Sequence, residues 1–211
     1  MSSQSGAEAK QWSPAGRRIL GAAAELFARR GYFATTTRDI AAAVGVKQPA
    51  IYKHFATKDE ILMALVALGL EYPLELASRL RTHPAPAAVR LYHWISRSLR
   101  HFQESPFVLA SMLVTPELQQ DQFGRERMRY RQVEQFAVDL ISEGQRDGEF
   151  RTMNPVSAAR LVLVLFDAMA MPETAVAPDE IAEFALVGLL SEPDRLAQVR
   201  RRAEKLADVS G

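Results

Sequence analysis

The sequence predicts an all-α protein: a small N-terminal three-helix domain with a helix-turn-helix, joined by a long helix to a larger helical domain. Three observations carry this expectation. Apolar residues recur at helical spacing in most segments. Capping residues and prolines cut the chain into helix-length pieces. No convincing pair of strands, no internal repeat and no low-complexity stretch is present.

Ser13-Pro14 reads as an N-cap followed by proline at the first helical position. Ile19, Ala23, Leu26 and Phe27 then share one face, and Arg29-Arg30-Gly31 closes the helix. Thr36 and Asp39 have capping-box spacing for a second helix, with Ile40, Ala41 and Val44 facing inward. Gly45 breaks it, because the turn calls for a positive φ. A short third helix is expected over residues 47–54, with Ile51 and Phe55 on its buried side. Thr57 and Glu60 form another capping box, opening a long apolar helix over 58–81 that Pro73 should kink or split.

Later prolines and caps bound helix-length segments at 86–103, 106–114, 117–147, 155–171, 179–190 and 193–208. Leu161–Phe166 reads LVLVLF, which has strand-like propensity, but the Asn154-Pro155 start and the segment's length favour helix. Residues 1–10 and 209–211 are expected to be disordered tails. Residues 11–57 would form the first domain and 58–208 the second.

Composition narrows the function class. The chain has 211 residues, 48% of them hydrophobic and 24% charged, as in a soluble globular protein. It has no cysteine, which excludes disulfides, thiolate metal sites and cysteine nucleophiles, and suits a cytoplasmic location. The first ten residues lack the apolar core of an export signal. The longest apolar run, Ile61–Leu70, is ten residues, short of the roughly 20 that span a bilayer, so no membrane partner is expected. Charge is uneven: residues 1–60 carry net +4 and the remainder net −3. A basic N-terminal quarter suits contact with a polyanion.

The string from Thr36 to His54 has helix-turn-helix grammar: helix, glycine turn, helix. The exposed face of its second helix would carry Lys47, Gln48, Ala50, Tyr52, Lys53 and His54. These are donors, an amide and aromatics, the types that reach base edges and phosphates of double-stranded DNA.

RRILGAAAELFARRG (17–31) and GYFATTTRDIAAAVGVKQPAIYKHFATKDEIL (31–62) together resemble the DNA-binding domain of the tetracycline-repressor (TetR) family of bacterial transcriptional regulators. The combination of GY, T-x-RDIA, GV, IYKHF and K-x-E-I-L is more specific than a generic helix-turn-helix. GEFRTMNPVSAARLVLVLFDAMA (148–170) weakly resembles that family's second-last core helix and its lead-in. The resemblance implies phosphate contacts from Thr36 and Thr37 at a helix N-terminus, and from Tyr52, His54 and Lys58. Arg38 would reach a phosphate or a base, and Lys53 would act by charge. Lys47 and Gln48 would read bases, with Ala50 against a thymine methyl. Each has a plainer alternative: Tyr52 packing on the first helix, His54 as a cap, Arg38 as a solvated ion-pair partner.

For the rest, the resemblance implies an effector-binding domain with a pocket, and a homodimer formed through the helices at 155–171 and 179–190. Independently, a monomer would leave Leu161, Leu165, Phe184 and Val187 with too little cover. Asp167 interrupts this apolar region, and either meets a ligand or hydrogen-bonds at the dimer seam. Pocket candidates are Trp94, His101, Phe102, Phe107, Met112, Phe136 and Phe166, all residue types that also serve as ordinary core. His93 and His101 are two helical turns apart, too far for chelation, so no metal is expected, nor any cofactor. Arg125, Arg127, Arg129 and Arg131 spread around a helix as solvated charge.

The reading is a ligand-responsive DNA-binding regulator, a repressor that binds a palindromic operator as a dimer and answers to an unidentified small molecule. One alternative is a DNA-binding regulator whose body recruits a protein partner instead. Another is an enzyme with an accessory DNA-binding domain, but no G-x-S-x-G, Gly-rich phosphate loop or H-E-x-x-H motif appears. No enzymatic activity is expected.

Overall fold

The first helix, α1 (Pro14–Arg30), starts where its cap predicts: Ser13 Oγ accepts from the Gly16 N–H at 3.1 Å. It ends at Gly31, whose φ of 80° turns the chain away. A computed structural model describes residues 12–104, 119–170 and 176–206. The tails expected at 1–10 and 209–211, the helix expected over 106–114, and the pocket candidates Phe107 and Met112 lie outside them. The described residues form helices and turns, with a lone antiparallel bridge between Phe150 and Leu190. The chain divides into two compact units, Met1–Ile61 and Leu62–Gly211.

In the first unit, α1 buries Ile19, Leu20, Ala23, Ala24 and Phe27. Helix α2 (Thr37–Val44) opens on the Thr36/Asp39 capping box and buries Ile40 and Ala41, while Val44 is half-buried. Gly45 sits in the left-handed region (φ 77°, ψ 33°), and its N–H and that of Val46 close the end of α2. Arg18 of α1 donates to the Val44 carbonyl at 3.0 Å, placing a cation at the same end. Helix α3 spans Gln48–Tyr52, shorter than expected. Its N-cap, Lys47, makes no side-chain capping bond, and beyond Tyr52 the chain turns through Lys53 and His54. Ile51 and Phe55 are buried, and Trp12 stacks on Phe55 at 4.8 Å.

Helix α4 (Lys58–Arg81) has the expected bounds, and the unit boundary falls in its first turn. It runs unbroken through Pro73, contrary to any split there. Tertiary burial explains this: Leu65, Val66, Leu70, Leu76, Ala77 and Leu80 are all in the core. By length and composition α4 could cross a membrane, yet more than half of its apolar window is buried inside the protein, as in a core helix.

The second unit continues with α5 (Ala87–Glu104), α6 (Gly124–Arg146), α7 (Pro155–Val164, extended by a 3-10 segment through Ala170), α8 (Pro178–Leu189) and α9 (Leu196–Glu204). LVLVLF is therefore helical, with α7 tightening to 3-10 at Leu165. Helix α5 packs against α6, α8 and α9 and is buried over most of its circumference. Its first N–H groups, from Ala87 and Ala88, donate to the Glu149 carboxylate at 3.1 Å each. Arg90, also buried, donates to the Leu80 and Arg81 carbonyls at the end of α4 and pairs with Glu143 of α6. A negative group thus sits at a helix start and a positive one at a helix end. Phe150 lies directly over Gly144, where a Cβ would fall 2.3 Å from the ring.

Candidate nucleic-acid interface

The helix-turn-helix brings three of its predicted contact residues into one hydrogen-bonded cluster. Gln48 Nε2 donates to Thr37 Oγ1 at 2.9 Å and to the Tyr52 hydroxyl at 3.2 Å. The Thr37 and Tyr52 hydroxyls are themselves 3.2 Å apart. Tyr52 is 49% exposed, so part of the residue reaches the surface. Lys47, Lys53 and Arg38 are exposed, while Ala50 and His54 are half-buried. The unit that carries them has net charge +4. A basic, donor-rich face of this kind can take up phosphate oxygens and acceptors on base edges.

Two predicted phosphate ligands have work inside the protein. The Thr36 hydroxyl lies 2.5 Å from Asp39 Oδ2 and accepts from the Asp39 N–H, while the Thr36 N–H donates to the same carboxylate at 2.8 Å. These bonds hold the Asp39 carboxyl below its ordinary range, the Thr36 hydroxyl contributing most. Lys58 donates its ammonium to the Tyr32 carbonyl at 2.8 Å and the Thr35 carbonyl at 2.9 Å, and lies 4.0 Å from the Tyr32 ring centre. Its charge ties the α1–α2 connection to the start of α4. The sequence gives no sign of this, because the bond partners are 26 and 23 residues away.

The pocket candidates in the second unit are packed against one another. Trp94 is fully buried, edge-on to Phe136 at 5.4 Å and tilted on Phe166 at 5.8 Å. Phe102 meets Phe166 at 6.1 Å, and His101 stacks on Tyr72 at 4.4 Å. A groove of about 380 Å³ lies elsewhere, between α5, the start of α8 and α9, with Tyr92, Ser96, Arg100, Asp179 and Glu204 among its walls. None of the predicted pocket residues among those described lines it. His93 also borders it, with Nδ1 3.0 Å from the Ala203 carbonyl. Among the described residues no cluster of His, Asp and Glu could hold a metal ion.

The predicted dimer residues divide. Leu161 and Phe184 are 64% and 71% exposed, and Val187 is exposed with them. Val164, absent from the sequence-based set, joins them on α7. Leu165 and Asp167 are half-buried, and burial raises the Asp167 carboxyl above its ordinary range.

A family model described as bacterial regulatory proteins, tetR family, matches residues 19–65, which contain the whole helix-turn-helix. The HTH-type transcriptional repressor KstR2 of Mycobacterium tuberculosis is 29% identical over 138 residues, covering 63% of this chain and 68% of KstR2. The crystal structure of AibR in complex with isovaleryl coenzyme A and operator DNA shares the fold at TM-score 0.68 and 23% identity, over 84% of this chain and 97% of that one. The crystal structure of Mycobacterium smegmatis AmtR is similar at TM-score 0.77 and 32% identity, covering 94% of this chain and 97% of AmtR. With a family match on the DNA-facing motif and this likeness over nearly the full length of AmtR, the chain belongs to the tetR family of bacterial regulatory proteins, DNA-binding regulators of transcription.

Proposed function

We propose that this protein is a cytoplasmic repressor that binds a palindromic operator as a homodimer and releases it when a small molecule occupies the second unit. The observation that carries the reading is the exposed basic face of the helix-turn-helix. In it, Lys47 and Ala50 reach bases. Arg38, Thr37, Tyr52, Lys53 and His54 hold phosphates around them. Thr36 and Lys58 support this face from within, through the capping box and the carbonyls of Tyr32 and Thr35. Residues 11–57 serve as the DNA-binding domain, and α4 opens the effector and dimerisation domain of residues 58–208.

Dimerisation uses α7 and α8. Leu161, Val164, Phe184 and Val187 present large apolar groups to water, and burying each fully would contribute about 1.5–3 kcal/mol. Gly188 beside Val187 has open space around it, which allows close approach of a second chain. A two-fold dimer places two short recognition helices about 34 Å apart, one turn of DNA, and so reads a palindrome. Repression is supported by the likeness to KstR2, a transcriptional repressor, and effector binding by AibR, which shares this fold and was solved with both isovaleryl coenzyme A and operator DNA. An effector that favours one spacing of the two DNA-binding units would change affinity by a coupling of about 1–3 kcal/mol. Membership of a regulator family weighs against the enzyme reading.

The test is selection from a random duplex library with the purified protein, followed by sedimentation of the complex. The expected product is a sequence with two-fold symmetry bound by an even number of chains. Recovery of duplexes with no common sequence would refute the proposal.

A further inference from the structure

We infer that Gln48 is a positioning residue that sets the Thr37 and Tyr52 hydroxyls for a phosphate, and is not itself a reader of bases. The inference rests on the helix-turn-helix being the DNA-binding face. Its ground is the closed triangle of Gln48 Nε2, Thr37 Oγ1 and Tyr52 OH, with sides of 2.9, 3.2 and 3.2 Å. A glutamine that reads adenine presents its amide edge-on, donating to N7 and accepting from N6. Here the amide nitrogen lies within hydrogen-bond distance of two hydroxyl oxygens of the protein. Reading a base would break two bonds inside the motif to make two outside it.

Hydrogen counting gives the triangle a function. The amide supplies two hydrogens, one to each hydroxyl. One hydroxyl hydrogen then closes the Thr37–Tyr52 side. The other has no place in the triangle and points outward, toward an acceptor. Thr37 stands in the first turn of α2, where backbone N–H groups and the helix dipole favour an anion. Tyr52 stands at the end of α3, 49% exposed. The amide therefore links the phosphate-facing end of α2 to the end of the recognition helix. It fixes the register of α3 against the backbone of DNA before DNA arrives. The helix itself provides little of that: α3 has five residues and no side-chain N-cap.

The experiment measures binding by fluorescence anisotropy for the full-length protein and for Gln48→Ala, Gln48→Met, Tyr52→Phe and the Gln48→Ala/Tyr52→Phe pair. The probes are a duplex selected by the wild type and a panel with each base pair changed in turn. Both Gln48 variants are expected to weaken every duplex by about tenfold alike, the size of one lost hydrogen bond. The double variant is expected to lose less than the sum of the two single losses, since Gln48 and Tyr52 act as a unit while the Gln48–Thr37 bond remains separate. Gln48→Met keeps the bulk and the helix-compatible stem, so agreement of the two variants removes a folding explanation. Relaxed preference at one base pair, with the other duplexes bound as before, would overturn the inference and make Gln48 a reader. Additive losses in the double variant would overturn it too. A wild type with no preference for any duplex would instead refute the DNA-binding face, and the inference with it.

Discussion

Replacing Lys58 with methionine separates two tasks that a lysine at this position can perform. The ammonium donates to the Tyr32 and Thr35 carbonyls at 2.8 and 2.9 Å and lies 4.0 Å from the Tyr32 ring centre. Methionine keeps the apolar stem and removes every donor. The site is half-buried, so water can reach part of it, and each lost bond to the charged group is set near the low end, about 1–1.5 kcal/mol. The ring contact adds about 0.5 kcal/mol. The first unit should therefore lose about 2.5–3.5 kcal/mol. With a urea slope of about 2 kcal/mol per M, its midpoint should fall by about 1.2–1.8 M. Fluorescence of Trp12, stacked on Phe55, follows this unit directly if Trp94 is first changed to phenylalanine. Affinity for DNA is then measured across a salt series on the folded variant. A purely internal lysine leaves the slope unchanged, whereas a phosphate ligand lowers it by about 1. An unchanged midpoint with a reduced slope would refute the structural role assigned here.

Other perturbations test other parts. Phe184→Glu places a charge on the exposed face of α8 and should convert the dimer to monomer in sedimentation, with loss of operator binding; a variant that stays dimeric would move the interface elsewhere. Gly144→Ala sets a methyl 2.3 Å from the Phe150 ring, and overpacking of this kind should cost about 1–3 kcal/mol in urea unfolding of the second unit. Asp39, held by Thr36, should titrate by NMR below the ordinary carboxylate range. Because its folded pKa is depressed, its contribution to stability is present above the unfolded pKa and disappears as pH falls through the folded value. Thr36→Val should return it toward the ordinary range, and an Asp39 titration that this change does not move would mean the capping box is absent in solution.

The parts of the fold that were legible in the sequence are those decided locally. Ser13-Pro14, the Thr36/Asp39 pair and Gly45 each act within one turn of chain, and each behaves as its type dictates. Helix α4 was legible because capping residues and a long apolar stretch agree over its length. Its passage through Pro73 was not, since burial of neighbouring turns decides it. The site divides in the same way. Which residues stand on the outer face of α3 follows from helical spacing. That Gln48 spends its amide on Thr37 and Tyr52 depends on two helices meeting across a turn. The exposure of Leu161 and Phe184 was foreshadowed by helices that are apolar on most sides. The groove beside Tyr92 and Asp179 had no such signal, because three distant segments form it.

The junction around Phe150 limits how the helices of the second unit can move. The Glu149 and Phe150 N–H groups both donate to Gly144 at the end of α6, and Glu149 caps α5 with its carboxylate. Arg151 donates to Leu189 of α8, and Ser191 donates back to Glu149. A short connection between two helices thus behaves as a rivet through three. Sliding α5, α6 or α8 separately would break several bonds at once, so the proposed effector signal would have to travel as a shift of the riveted frame against its neighbours. Linkers are where flexibility is usually sought, but here the loop is the stiff part, and the give in the unit has to lie in the helices that it does not fasten.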